Sequence, residues 1–254
     1  MTAIAAEFLG VPAEFHESLG STNEEALRRA AEGAPEGLLI VAERQTAGRG
    51  RLGRSWWDAP GSSLLFSIVL RPSIEVARWP LLGIAMACAA ADAGAEAAGT
   101  ALDVKWPNDV LHAGRKLCGV LAESRVPSPG APALVVGAGI NVNQREGDFP
   151  EELRDRATSL RIAAGGRGPV DARALLAATL GRYERYLDAA RDEGWPALRR
   201  AVDQRLPARG TPVRALVGDR RLHGSIDEIT DTGALRLRLE SDGSIVTVTA
   251  GEIE

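Results

Sequence analysis

The pattern of predicted secondary structure changes after Pro207 and Gly210. Beyond this point, short runs rich in β-branched and aliphatic residues alternate with Gly-Asp, Asp-Thr-Gly and Ser-Asp-Gly turns. Closely spaced short strands over about 45 residues are typical of a small barrel. Upstream, helical and strand patterns alternate over a length that can bury a large core. The sequence therefore predicts an α/β domain with a mixed sheet over residues 1–207 and a small β-barrel over residues 208–254.

The larger domain has a clear sequence of predicted elements. Ser21-Thr22-Asn23-Glu24 has the pattern of a capping box, which predicts a helix from this point to Gly33. Apolar runs and their periodicity predict the other elements. Strands are expected over 38–43, 62–71, 101–105, 109–113, 116–124 and 133–142, and helices over 77–98, 170–192 and 195–206. The helix near residue 90 contains Asp92 and Glu96 and much Ala and Gly, which is typical of a core helix.

The composition excludes several classes of protein. The net charge of −4 argues against a general nucleic-acid or membrane surface, because neutralising phosphates needs a surplus of Lys and Arg. Cys88 and Cys118 lie in apolar surroundings without metal-binding spacing, so we expect two buried thiols in a reducing compartment. The N-terminal residues lack the basic region of a signal peptide. These features predict a cytoplasmic protein that does not contact a membrane.

An arginine–glycine segment, residues 47–57, is the most informative stretch for function. Gly48, Gly50 and Gly53 satisfy the GxGxxG pattern and follow a predicted strand. A dinucleotide-binding fold requires a helix directly after these glycines, with its N-terminus at the pyrophosphate. The following Ser55-Trp56-Trp57 run is a poor helix start, and no acidic residue closes the next strand. A dinucleotide-binding fold is therefore excluded.

Arg49, Arg51 and Arg54 give this segment its chemical character. Glycines let backbone amides approach an anion, and guanidinium groups donate charge-assisted hydrogen bonds to phosphate oxygens. Trp56 or Trp57 offers a flat face for a purine. Because the positive charges repel one another, we expect the segment to become ordered when an anion binds. The alternatives are a solvated basic loop and a loop that contacts RNA.

Two further segments place polar groups at the ends of predicted strands. Asn108 and Asp109 follow Pro107, where they could either reach into a pocket or cap a turn. Lys116 begins the next strand, where a lysine is either solvated or a point charge for a carboxylate or phosphate. Gly119 in that strand leaves room for a ligand or another backbone.

The run Gly137-Ala138-Gly139-Ile140-Asn141 forms part of another predicted strand. Glycines at alternate positions weaken a strand unless something presses against that face. The run therefore forms either the floor of a pocket or a tightly packed part of the core. Asn141 adds a polar group at its end.

Together and in this order, the segments resemble the biotin–protein ligases. The matching runs are Ser21-Thr22-Asn23, Gln45 with 48–54 and Trp56, 105–109, 115–119 and 137–141, and the C-terminal run 224–252 resembles the small C-terminal domain of the family. The resemblance implies a catalytic domain related to class II aminoacyl-tRNA synthetases and a C-terminal SH3-like β-barrel. Cys118 stands where the family commonly has alanine, which is a mild departure.

The resemblance also implies a reaction. Biotin and ATP, with Mg²⁺, would give biotinyl-5'-AMP, and the biotinyl group would pass to a lysine of a biotin carboxyl carrier domain of a biotin-dependent carboxylase. The implied biotin-binding residues are Ser21, Thr22, Asn23, Gln45, Arg49, Gly50, Arg51, Lys116, Gly119 and Gly137. The implied nucleotide-binding residues are Arg54, Trp56, Asn108 and Asn141. Asp109 would lie near the metal, and Arg51 and Lys116 would be catalytic.

Some family members carry an N-terminal DNA-binding domain, and few residues precede Ser21 here. We therefore expect the form without that domain and no DNA-binding role. Family members differ between monomer and dimer, so a homodimer stays open. The rival functions are a lipoate or octanoate ligase, an RNA-binding module without catalysis, and a protein that binds biotin without transferring it.

Overall fold

A computed structural model describes residues 13–125 and 132–253. The helices are α1 (Thr22–Ala31), α2 (Pro80–Ala98), α3 (Leu160–Ala163), α4 (Ala172–Asp192) and α5 (Trp195–Asp203). The strands of the larger domain are β1 (Ala13–His16), β2 (Leu39–Ala42), β3 (Ser63–Leu70), β4 (Asp103–Lys105), β5 (Asp109–His112), β6 (Arg115–Arg125) and β7 (Ala133–Asn141). Those of the C-terminal unit are β8 (Pro212–Val217), β9 (Arg220–Ile229), β10 (Leu235–Leu239), β11 (Ile245–Val248) and β12 (Glu252–Ile253).

Strands β1 to β7 form one mixed sheet in the order β1-β2-β3-β7-β6-β5-β4. The β1–β2 pair is parallel, and the other neighbours are antiparallel. Strand β3 lies in the middle, where seven of its eight residues are buried. A strand that is covered on both faces reads as a continuous apolar run, as the sequence of β3 does.

Helices cover both faces of this sheet. Helix α1 packs on one face, against a cluster that includes Ile40, Val69 and Val135. Helix α2 packs on the opposite face with α4 and α5 behind it. The segment Val76–Ala98 is long and apolar enough to cross a membrane by length and composition, but 78% of its apolar window is buried inside the protein. It is therefore a core helix, as the sequence predicts.

The start of α1 differs from the predicted capping box. Ser21 is the N-cap residue, but its side chain makes no capping hydrogen bond. The Thr22 N–H instead donates to Gln45 Oε1 over 2.7 Å. The N–H of the first helical residue is thus satisfied by a side chain from another part of the chain.

The C-terminal unit is an antiparallel sheet in the order β11-β10-β9-β8-β12, consistent with an SH3-like domain. It packs on the larger domain through Trp106, whose Nε1 donates to the Gly233 carbonyl over 2.9 Å. Gly233 has a φ of +78°, and an added Cβ would lie 3.2 Å from the Leu81 amide nitrogen. The proposed domain boundary at residue 207 falls between α5 and β8.

Candidate active site

A cavity of about 100 Å³ lies where the N-terminus of α1, the arginine–glycine loop (residues 47–57) and strands β5, β6 and β7 meet. The sequence-predicted site residues other than Asn141 all line it. Val120, Leu121, Ala138, Gly139, Ser55 and Glu252 complete the lining. Residues far apart in the chain thus converge on one place.

One wall of the cavity is a network of polar side chains. Gln45 Oε1 accepts from both the backbone N–H and the hydroxyl of Thr22, at 2.7 and 3.0 Å. Ser67 Oγ lies 2.8 Å from Thr22 Oγ1 and 2.6 Å from Asn23 Oδ1. Asn23 Nδ2 donates to the Leu121 carbonyl and to Glu123 Oε2. These bonds fix the orientation of the Asn23 amide, with Oδ1 toward Ser67.

Sequence reasoning missed Ser67 and Glu123. Ser67 is fully buried within an otherwise apolar strand. A buried hydroxyl needs a hydrogen-bond partner, which could have signalled a role for this serine. The identity of that partner, 44 residues away, carries no local signal.

The arginine–glycine loop folds back on itself. Arg49 and Ser55 form an isolated antiparallel bridge, and the Trp56 N–H donates to the Gly48 carbonyl over 2.9 Å. An added Cβ on Gly48 would lie 2.7 Å from the Trp56 carbonyl oxygen, so the turn requires glycine there. Leu52 at the tip is 70% exposed.

Each arginine of the loop has an acceptor within the protein. Arg49 Nη2 lies 2.7 Å from Glu123 Oε2, and Arg54 forms an ion pair with Glu252. Arg51 Nη1 donates to Asn108 Oδ1 and to the Gly251 carbonyl, both over 3.3 Å. The protein itself therefore supplies acceptors for all three arginines, a role that the sequence analysis gave to a bound anion. Whether ligands order the loop remains a prediction.

Desolvation shapes the electrostatics of Arg51. Burial lowers the pKa of its guanidinium, while the carboxylates of Glu252 and Asp109 act in the opposite direction and Arg54 adds a further lowering. A guanidinium stays charged under such shifts. Arg51 is thus a half-buried cation whose hydration is partly removed, which strengthens its attraction for an anion that enters the cavity.

Lys116 and Asp109 form an ion pair at the mouth of the cavity. Lys116 Nζ lies 2.7 Å from Asp109 Oδ1 and 5.7 Å from the centroid of the Trp56 ring. The contact is an ion pair without the alignment of a hydrogen bond, since Asp109 Oδ1 is buried and accepts no hydrogen bond from the described residues. Asp109 is therefore directed into the cavity, and the turn-capping alternative does not describe it.

Glycines of β6 and β7 form the floor. An added Cβ on Gly137 would lie 1.9 Å from Asn23 Oδ1, and one on Gly139 would lie 2.6 Å from Trp56 Cε2. Gly119, which pairs with Gly139, would place its Cβ 3.0 Å from Trp56 Cζ3. These glycines therefore form the floor of the cavity and are also tightly packed, because the side chains that contact them are themselves residues of the site.

A second cavity of about 700 Å³ adjoins the first. The two share Arg54, Ser55, Trp56, Asp109, Lys116 and Glu252. Trp57 and Phe149 also line it, with ring centroids 5.5 Å apart and planes inclined by 43°. Asn141 lies on this cavity rather than the first; it is buried, and its Nδ2 donates to the Thr158 carbonyl over 3.0 Å.

The mixed sheet with its cationic, glycine-floored double cavity and the small antiparallel sheet that follows it both match sequence models of protein ligases. The sequence model of the biotin/lipoate A/B protein ligase family matches residues 16–141. The model of the biotin protein ligase C-terminal domain matches residues 210–254. Both matches agree with the two units seen in the structure.

Individual proteins that are similar to this chain identify the family within this class. The bifunctional ligase/repressor BirA of Bacillus subtilis is 36% identical over 248 residues, which is 98% of this chain and 75% of the relative. The biotin–[acetyl-CoA-carboxylase] ligase of Mycobacterium tuberculosis is 36% identical over 243 residues, 92% of this chain and 85% of the relative. The solved biotin protein ligase of Aquifex aeolicus, in complex with biotin and ATP, is 30% identical with a TM-score of 0.77, covering 95% of this chain and 97% of that one. The chain belongs to the biotin protein ligase family.

Proposed function

We infer that this chain is an ATP-dependent biotin–protein ligase. It forms biotinyl-5'-AMP from biotin and ATP and transfers the biotinyl group to a lysine of a biotin carboxyl carrier domain. The observation that carries this inference is that three guanidinium groups and one ammonium group line the first cavity, and that two of these groups, those of Arg54 and Lys116, lie at its junction with the second cavity. Such a junction suits a carboxylate from one side and a phosphate from the other.

We assign the first cavity to biotin. Its polar wall of Ser21, Thr22, Asn23 and Gln45 is buried or half-buried, so its donors and acceptors are shielded from water and select a polar head group. Gly119 and Gly137 let the side chains of Trp56 and Asn23 lie directly against the floor of this cavity. Arg51 and Lys116 then lie where the acid's carboxylate would end.

We assign the second cavity to the nucleotide. Arg54, Trp56, Asp109 and Lys116 line both cavities, so the α-phosphate would lie among them. Trp57 and Phe149 offer aromatic faces for the base. Asn108 and Asn141 would frame the nucleotide from opposite sides. The amide nitrogens of both already donate to backbone carbonyls, so they would contribute through their fixed positions.

The first chemical step needs no general base. A carboxylate at neutral pH is already an anionic nucleophile, and its oxygen forms a bond to the α-phosphorus as the bond to the pyrophosphate oxygen breaks. The barrier is the repulsion between two anions and the charge that develops on the phosphoryl oxygens. Arg51 and Lys116 reduce both because they are held in place before the substrates arrive.

The second step transfers the acyl group to the carrier. A neutral lysine amine attacks the acyl carbon, an amide bond forms, and AMP leaves with the bonding electrons. The mixed anhydride must survive until the carrier binds. The arginine–glycine loop, which lies over the first cavity, would keep water from the anhydride.

Mg²⁺ would bind together with ATP. Magnesium takes oxygen ligands and is commonly held by one or two carboxylates plus phosphates and waters. The carboxylate of Asp109, which is paired with Lys116 and lines both cavities, is an oxygen ligand of this kind. The described residues contain no group of three His, Cys, Asp or Glu side chains that could hold a metal without the nucleotide. The ion would neutralise phosphate charge.

One experiment tests the assignment. The protein is incubated with ATP, Mg²⁺, a biotin carboxyl carrier domain and either biotin or lipoate, and the carrier is weighed by mass spectrometry. The expected result is the mass of one biotinyl group, only when ATP is present. A lipoyl group in its place would identify the rival ligase, and an unmodified carrier with both acids would indicate a binding protein without ligase activity.

We place the activity in the cytoplasm, where ATP and carriers occur together.

A further inference from the structure

Glu123 lies beside the first cavity and joins two of its parts. It is on β6, on the same face as Gly119 and Leu121 because strand residues two apart point the same way. Its Oε2 accepts from Asn23 Nδ2 over 2.8 Å and pairs with Arg49 Nη2 over 2.7 Å. A single carboxylate oxygen thus holds both the head-group wall and the arginine–glycine loop.

We propose that Glu123 is a positioning residue that holds the N-terminal arm of the arginine–glycine loop closed over the cavity and ties that closure to Asn23. This proposal rests on the proposed function for its meaning in catalysis, but the closure itself is a property of the free protein. Glu123 lines neither of the two cavities. It acts through Arg49 and Asn23.

The other loop arginines are held from a different side. Arg51 and Arg54 reach Asn108, directly before β5, and Gly251 and Glu252 of the C-terminal unit. In the part of the chain that the structure describes, the ion-pair partner of Arg49 is Glu123. Loss of Glu123 should therefore free one arm of the loop while the other arm stays attached.

The Asn23 contact gives the arrangement a second consequence. Asn23 Oδ1 faces Ser67 because its Nδ2 is drawn to Glu123 and the Leu121 carbonyl. If the carboxylate is lost, the amide loses one of the two acceptors that fix its orientation. Opening of the loop and weaker binding of the acid should then occur together.

Two variants separate the two contacts. Glu123→Gln keeps a carbonyl oxygen for Asn23 but removes the negative charge that pairs with Arg49, whereas Glu123→Ala removes both. Glu96→Gln is the matched control, since it breaks an arginine–glutamate pair on α2, distant from both cavities. Melting temperatures identify any variant that fails to fold. If Glu123→Ala does not fold, Glu123→Gln alone still tests the proposal.

The first readout is limited trypsin digestion of the ligand-free protein, with cleavage after Arg49, Arg51 and Arg54 followed by mass spectrometry. Glu123→Gln should be cut in the loop about three- to fivefold faster than the parent, the scale of a partly exposed ion pair. Raising the salt to about 1 M should speed loop cleavage of the parent toward that of the variant, because ions screen the pair. Glu123→Gln, which lacks the pair, shows at each salt concentration how salt affects the protease itself, and Glu96→Gln should be cut in the loop at the parental rate throughout. A loop in Glu123→Gln that is cut at the parental rate at low salt overturns the proposal.

The second readout uses the reaction. Glu123→Gln should raise the KM for biotin about three- to fivefold, the same scale as for the loss of the ion pair. It should also release more pyrophosphate than biotin is transferred, because water would hydrolyse part of the mixed anhydride. Glu123→Ala should raise that KM further. If parent and variant release the same amount of pyrophosphate per biotinyl group transferred, the proposed closure of the loop by Glu123 is contradicted. A parent that forms no adenylate at all refutes the proposed function instead, and the digestion result still decides the role of Glu123.

Discussion

Lys116 Nζ lies 2.7 Å from Asp109 Oδ1, at the place where the two cavities meet. The two residues are on neighbouring antiparallel strands, β5 and β6, so the sheet itself sets the distance between them. In the absence of substrates each charge is compensated by the other. Under the proposed function, Lys116 would turn to the anions when a carboxylate and a nucleotide enter, and Asp109 would then be available to the Mg²⁺ that we propose binds with the nucleotide.

Lys116→Ala should lower pyrophosphate release from biotin and ATP by about 10²–10³, the usual loss when one preorganised donor is removed. The fold should survive, because the Lys116 side chain is 39% exposed. Arg115→Ala, next in sequence and paired with Glu146 on the surface, is the control and should keep near-parental rates. Near-normal pyrophosphate release from Lys116→Ala would argue strongly against its catalytic role.

Gly137→Ala should reduce the affinity for biotin by tenfold or more, on the order of the loss of a well-placed buried polar contact. The added methyl group would meet Asn23 Oδ1 at 1.9 Å, so the amide would have to leave its position. Gly147→Ala is the control, because nothing lies within 4 Å of its added Cβ. Isothermal titration with biotin measures the difference, and equal affinities for Gly137→Ala and the parent would contradict the assignment of this cavity.

Trp106→Phe should destabilise the protein by about 1–3 kcal/mol, the cost of leaving a buried carbonyl without its donor. Trp106 is 1% exposed, and its Nε1 is the donor to Gly233 across the contact between the two units. Trp79→Phe breaks a longer bond within one unit, 3.3 Å to the Ile74 carbonyl, and should cost less. Urea unfolding monitored by circular dichroism compares the two variants.

The two cysteines should be inert in the folded protein. Burial raises the pKa of both the Cys88 and Cys118 thiols to about 12, from the ordinary value of 9.0. Because the unfolded thiols ionise near the ordinary value, they favour unfolding as the pH rises from about 9 toward 12. Ellman's reagent at pH 8 should modify neither thiol until urea is added. Rapid labelling of the native protein would show that one of them is exposed.

The sequence predicts most elements of the larger domain to within a few residues, because their apolar periodicity is strong. Helix α4, expected over 170–192, spans Ala172–Asp192. Strand β1 is missed because it has only four residues, two of them charged or titratable, and lies at the sheet edge. The capping box at Ser21 is wrong because the Ser21 side chain makes no capping hydrogen bond; the Thr22 N–H donates instead to Gln45, from a distant segment.

The site shows the same division between local and distant information. Glycine, arginine and lysine runs mark their own positions, and all but Asn141 of the predicted residues line one cavity. The partners Ser67, Glu123 and Glu252 could not be found in this way. Each is an ordinary residue whose role comes from a contact made across the fold; Arg54 and Glu252 are 198 positions apart.

Asp109→Asn tests whether Asp109 serves the metal or only Lys116. The amide keeps the shape of the side chain but loses the charge that attracts both Lys116 and Mg²⁺. If Asp109 binds magnesium, the Mg²⁺ concentration for half-maximal pyrophosphate release should rise by at least about tenfold, the scale of damage to a metal site. Asp103→Asn, at an exposed position of the neighbouring strand β4, controls for the loss of one negative charge. A slower reaction with an unchanged Mg²⁺ requirement would instead assign Asp109 to the positioning of Lys116, because only the ammonium group would then have lost its partner.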